Sequence, residues 1–168
     1  MPERKPAARR WAALAAVVAL AGVAAVVLIG NPVAPESAPV ALRPDDSRLL
    51  AIGQQVYAQH CASCHGARLE GQPAWRERDA QGRLPAPPHD ASGHTWHHPD
   101  ETLFRITKFG VASIVGDPNY KTTMPVYEGV LSDDDIVAVL SWIKEQWPAA
   151  IRQKHDQMNA QAAKASRP

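Results

Sequence analysis

One pentapeptide constrains this chain more than anything else in its 168 residues: Cys61-Ala62-Ser63-Cys64-His65, which holds both of its cysteines. The pattern C-x-x-C-H carries a mechanism. Cysteines three apart sit about one helical turn from each other, so both thiols reach one edge of a porphyrin, and each adds to one vinyl group. The histidine next in line then supplies an imidazole nitrogen under the iron. Two thioether bonds keep the cofactor in a compartment where it would otherwise be lost. Two other chemistries use the same atoms. A thioredoxin-like dithiol needs a β-α-β setting, and none is visible. A zinc site wants four ligands, usually with a second Cys/His pair, for which only the downstream histidines offer themselves. The pattern therefore predicts one covalent haem c, attached at Cys61 and Cys64, with His65 on the iron.

The N-terminus says where this chemistry takes place. Arg4, Lys5, Arg9 and Arg10 precede Trp11–Ile29, nineteen residues without a charge. A cleaved signal usually has a shorter apolar region of about 7–15 residues and a small-x-small cleavage site. This run is nearer the roughly 20 residues that span a bilayer, and Gly30-Asn31-Pro32 lacks a clean cleavage signature. The basic residues ahead of it should stay in the cytoplasm, which puts the rest of the chain outside. The expectation is a bacterial inner-membrane protein with one span, a cytoplasmic N-terminus and a periplasmic haem domain; the alternative is a long cleaved signal. The chain divides into a basic cytoplasmic segment (1–10), a transmembrane anchor (11–30), a Pro-rich linker (31–44) containing Pro32, Pro35, Pro39 and Pro44, a globular domain (45–148), and a basic, partly disordered tail (149–168).

A formal net charge of +1 hides an uneven distribution: residues 45–148 carry nine basic and fourteen acidic side chains, net −5, between flanks that are each +3. Nucleic-acid binding needs a basic face, so no nucleic-acid partner is expected. An acidic domain favours a basic patch on its protein partner, chiefly through association rate.

Within the globular part the pattern is all-α, without strand alternation. Asp45, Asp46 and Ser47 offer N-caps for a helix running to about His60, with Leu49, Leu50, Gly53, Val56 and Tyr57 on one side. Residues 66–98 form a long stretch rich in Gly, Pro and His, which a haem enclosed by the loop would explain. Pro99-Asp100-Glu101 starts a second helix that Gly110 ends, and a loop from about Val111 to Val130 follows. Ser132 and Asp135 form a capping-box variant for a last helix that buries Ile136, Val139, Leu140 and Ile143 and stops by Pro148.

Residues 47–147 resemble the class I cytochromes c, the small all-α, single-haem family. Its first helix ends in C-x-x-C-H and crosses its last, with a small residue facing an aromatic one. Gly53 and Tyr57 match the first-helix positions, and Trp142 matches the last-helix aromatic, which is more often Tyr. The match is specific at both ends and loose in the middle. The resemblance implies the cytochrome c fold, three or more helices around one haem.

The sixth iron ligand is open among Met124, His60, His89, His94, His97, His98, His155 and Met158. Thr122-Thr123-Met124-Pro125 resembles the family's Met-Pro axial loop just ahead of the last helix, which implies Met124; the alternative is a plain loop or core methionine. A thioether favours ferrous iron and a higher potential. The free ring N–H of His65 needs an acceptor. The resemblance implies a proline carbonyl in the following loop, here Pro87 or Pro88. Gly93-His94-Thr95-Trp96-His97-His98 is the least expected feature. His94, His97 and His98 suit copper or zinc, or contacts to haem propionates. Trp96 suits packing on the haem edge. The bland alternative is a loop whose histidines satisfy backbone and water. Arg68, Arg76 and Arg83 in the same long loop are candidates to neutralise a propionate.

The expected function is one-electron transfer by a membrane-tethered carrier with His/Met-ligated haem, itself no enzyme. Its donor would be a quinol-oxidising complex; its acceptor, a terminal oxidase or a periplasmic oxidoreductase. The alternatives are a fixed haem subunit of a larger respiratory enzyme, or a haem- or metal-binding redox sensor.

Overall fold

The computed structural model describes residues 39–165; the anchor expected over 11–30, and the linker as far as residue 38, lie outside the described residues. Among the described residues every regular element is a helix, and none is long and apolar enough to cross a membrane.

Helix α1 (Ser47–His60) starts where the Asp46 side chain accepts the Leu49 N–H at 3.2 Å. It ends at Cys61, and a single helical turn, α2 (Ala62–His65), carries the motif onward to Gly66. Helix α3 (Asp100–Phe109) begins after Pro99 with Asp100 and Glu101 in its first turn, where acidic side chains complement the helix dipole. Gly110, at φ +83°, turns the chain into α4 (Val111–Val115). That short helix occupies the start of the region expected to be loop; five residues between Gly110 and Gly116 are too few to show a helical period. Helix α5 (Asp133–Glu145) opens with the reciprocal Ser132/Asp135 box, its two backbone bonds 3.1 and 3.2 Å long.

The core forms where α1 crosses α5. Gly53 sits at the crossing, so close that a Cβ there would stand 2.1 Å from the Ala138 carbonyl oxygen. One turn on, Tyr57 packs on Trp142 with ring centroids 4.8 Å apart. Ile136, Val139, Ile143 and Trp147 are all but sealed from solvent, and side chains of this size each contribute about 1.5–3 kcal/mol on burial.

Two boundaries differ from the expectation. Where a partly disordered tail was expected, Ala149–Ala165 forms helix α6, docked on the domain. His155 is fully buried, its Nε2 donating to the His98 carbonyl at 3.0 Å. Asn159 bonds both the Asp100 backbone N–H and its carboxylate, and the buried Lys144 ammonium reaches Asp156 at 2.6 Å. The inward stripe of α6 mixes Ile151 and Met158 with Arg152, His155 and Asn159, and this mixture weakens the apolar periodicity. The end of the expected linker also belongs to the domain. Leu42 is in the core, its N–H donating to Asp100 at 2.8 Å, and the Arg43 N–H donates to Ser141 at 2.9 Å.

The segment between His65 and Thr95 has no long helix, but its backbone is tied. Gly71 N–H donates to the His65 carbonyl, Gln72 N–H to Ala86 and His89 N–H to Leu69, each at 2.8 Å. The Asp79 carboxylate pins Arg83 through backbone and guanidinium, each at 2.8 Å.

Candidate functional site

Helices α3, α4 and α5 and the two long connections enclose a cavity of about 440 Å³, within the roughly 300–1,000 Å³ usual for cofactor pockets. Its walls are mainly apolar: Leu103 and Ile106 from α3, Ile114 from α4, and Val139, Leu140 and Ile143 from α5. Cys61, Cys64 and His65 open onto it, and Met124 lines it from the loop ahead of α5.

Two tyrosines bracket the motif. Tyr57 Oη donates to the Gly66 carbonyl at 2.8 Å, just past the motif, and Tyr127 Oη donates to the His60 carbonyl at 2.6 Å, just before it. Together they hold the carbonyls at both ends of Cys61–His65. Tyr127 had no signal in the sequence, since its partner lies 67 residues away. No disulfide joins the two cysteines; Cys64 is exposed and Cys61 half-buried.

His65 is buried, and its Nδ1 lies 2.8 Å from the Pro87 carbonyl. A carbonyl only accepts, so Nδ1 carries the proton and Nε2 keeps the lone pair that a metal needs. Burial lowers the His65 pKa, a shift the Pro87 bond partly offsets, and the neutral ligand form is favoured. The Pro88 carbonyl is engaged elsewhere, by the Thr95 hydroxyl at 3.4 Å.

The histidine-rich loop is split by the fold. His94 and His98 line the cavity, with rings 5.5 Å apart, and His94 stacks on Trp75 at 5.2 Å. His97 and Trp96 do not line it; they stack on each other at 3.7 Å, with Lys154 of α6 over the Trp96 ring at 5.8 Å. Trp96 packs beside the cavity and not in its lining, and among the described residues its buried Nε1 has no hydrogen-bond partner. Among the described residues no group of three His, Cys, Asp or Glu side chains is placed to hold a metal ion. The three arginines also point to other work: Arg68 pairs with Glu70, Arg83 with Asp79, and Arg76 lies over Trp75. Among the described residues Lys121 brings a cation to the cavity wall, a residue the sequence did not single out. Of the remaining ligand candidates, His60 and His89 line the cavity, whereas His155 is buried against Trp147, and both His155 and Met158 lie on α6, outside the cavity lining.

The donor set tests what the cavity is for. Apolar walls suit a flat macrocycle, two thiols one turn apart suit its two vinyl groups, and an imidazole with a free nitrogen suits its iron. The residues present fit haem c. Fold and site together define an all-helical domain whose cavity suits a thioether-bound porphyrin. A family model for cytochrome c matches residues 50–147, more than half of the chain, and the chain belongs to the cytochrome c family. It is a haem protein of electron transfer, binding haem c covalently. Comparison with curated proteins and with solved structures returned no match.

Proposed function

We propose that the chain is a membrane-tethered carrier of single electrons on the periplasmic face of a bacterial inner membrane, with one haem iron held between His65 and Met124. The observation that carries this reading is the placement of Met124 on the wall of the cavity that Cys61, Cys64 and His65 also line. Haem c, when bound, supplies a centre that gains and loses one electron. The chain's residues do the rest. Cys61 and Cys64 anchor the ring edge, and Pro87 orients the His65 imidazole. The Met124 backbone N–H donates to Thr122 Oγ1 at 3.0 Å, which steadies the loop that presents the thioether. The apolar walls exclude water, and His65 and Met124 would together hold the iron and leave it no site for substrate. Electron transfer to partner proteins, without bond chemistry, follows from a closed shell.

The tether rests on the uncharged run Trp11–Ile29 behind its basic flank. Confinement to the membrane surface raises the effective concentration near membrane-bound partners: a quinol-oxidising complex as donor, and a terminal oxidase or periplasmic oxidoreductase as acceptor. The ligand assignment is tested on the full chain carrying haem. The oxidised protein is expected to show the weak far-red sulfur-to-iron charge-transfer band, and Met124→Ala should abolish it while the haem stays covalently attached. An unchanged band in Met124→Ala would refute the assignment. Membrane fractions washed at high pH should retain the chain, and its release into the soluble periplasmic fraction would refute the tether.

A further inference from the structure

The loop after the motif gives the site more than a carbonyl. His89 lies face to face with His65, ring centroids 3.9 Å apart and planes inclined by 21°, and both rings line the cavity. The bond from His65 Nδ1 to the Pro87 carbonyl fixes one direction of the imidazole. It leaves the ring able to swing about that line, because one hydrogen bond defines an axis and not a plane. A flat partner against the ring face removes the remaining freedom.

His89 is itself held at three points. Its backbone N–H donates to the Leu69 carbonyl at 2.8 Å. Its carbonyl accepts from Trp147 Nε1 at 2.7 Å. Its ring Nδ1 lies 2.8 Å from Thr95 Oγ1. The Thr95 hydroxyl donates its one proton to the Pro88 carbonyl at 3.4 Å, so it accepts from the His89 Nδ1–H, and the His89 tautomer follows. Gly93 lets the two arms of this loop approach, since a Cβ there would stand 2.0 Å from the Pro88 oxygen. Tyr57 meets the His89 ring nearly at right angles, at 6.3 Å. Thr95 belongs to the histidine-rich stretch, and buttressing His89 gives that stretch a task inside the site.

We propose that His89 is a positioning residue that sets the plane of the axial His65 imidazole, with Thr95 holding His89 in register. The inference rests on His65 being an iron ligand. The plane of an axial imidazole decides which iron d orbitals it overlaps, so positioning is read in the magnetic anisotropy of the oxidised haem.

The test uses the full chain with haem attached, oxidised, in three variants. His89→Leu keeps apolar bulk and removes the flat face. His89→Phe keeps a flat face and removes the ring nitrogens. Thr95→Val is nearly isosteric and removes only the hydroxyl. The readouts are the largest electron paramagnetic resonance g value and the pattern of paramagnetically shifted haem-methyl proton resonances. His89→Leu is expected to displace both, His89→Phe to return them most of the way to the parent values, and Thr95→Val to move them in the same direction as Leu by less. Parent-like signals in His89→Leu would overturn the proposal. So would equal displacement by Leu and Phe, which indicates packing alone, or loss of the low-spin signal in every His89 variant, which would make His89 the ligand itself. If His89→Leu fails to accumulate, Thr95→Val decides, and unmoved signals in it count against the proposal. The far-red band of the parent protein separates the two readings: its absence removes Met124 and leaves the comparison of His65 planes intact.

Discussion

Replacing Gly53 by Ala tests the joint on which the domain is built. The added Cβ would stand 2.1 Å from the Ala138 carbonyl oxygen and 2.8 Å from the Trp142 Cβ, against 3.4 Å or more for ordinary contact. The first obstacle is backbone, so no rotamer change relieves it, and α1 and α5 must separate by more than 1 Å. Overpacking of this kind costs about 1–3 kcal/mol, and a clash with backbone belongs at the upper end. Ala is a better helix former than Gly by about 0.5–1 kcal/mol, which offsets part of this. The expected net loss is about 2 kcal/mol, or roughly 6–12 °C in melting temperature for a domain of this size. Denaturant titration of the haem-loaded domain, followed by far-UV circular dichroism, reads it as a lower midpoint at unchanged slope. The exposed Ala51 on the same helix is the control. Ala51→Gly removes a methyl and should lose about 0.5–1 kcal/mol from propensity alone. A Gly53→Ala protein as stable as its parent would refute the close crossing, since propensity by itself predicts a gain.

Two further predictions concern the ties around the site and the C-terminal helix. Tyr127→Phe removes the 2.6 Å bond to the His60 carbonyl and should cost about 0.5–1.5 kcal/mol, read as a lower denaturation midpoint; no change would show that the hydroxyl does not brace the motif. His155 has its pKa lowered, first by burial and then by the Lys144 ammonium, so below about pH 6.5 the unfolded chain binds a proton that the folded chain resists. Its contribution is complete above that pH and falls as the pH drops from the ordinary imidazole value toward the lowered folded one. The melting temperature should therefore fall between pH 7.5 and 5.5, and by less in His155→Gln; equal slopes in the two proteins would remove His155 as the cause.

The parts of this molecule that local chemistry dictates were legible in the sequence. The C-x-x-C-H spacing points to the haem, Ser132 and Asp135 mark the start of α5, and Gly110 marks the end of α3, because each acts on neighbours within a few residues. The Gly53–Trp142 crossing was legible only through the resemblance, since it joins positions far apart in the chain. What stayed hidden depends on long-range polar contacts. Helix α6 docks through His155, Asn159 and Asp156, and such a face reads as a solvated tail. Tyr127 and Lys121 flank the Met-Pro loop, but the role of Tyr127 depends on His60, 67 residues away, and Lys121 reaches the cavity wall only in the fold. The histidine-rich stretch read as one cluster, yet the 3-10 turn at Thr95–His97 sends His94 and His98 toward the cavity and turns Trp96 and His97 away.

The most direct test of the central claim is the intact mass of the chain purified from an export-competent host and denatured before measurement. The account predicts the polypeptide mass plus one haem, surviving denaturation, and loss of that increment when Cys61 and Cys64 are both changed to Ser. A polypeptide that carries no haem after denaturation, or a double variant that retains the added mass, would contradict it.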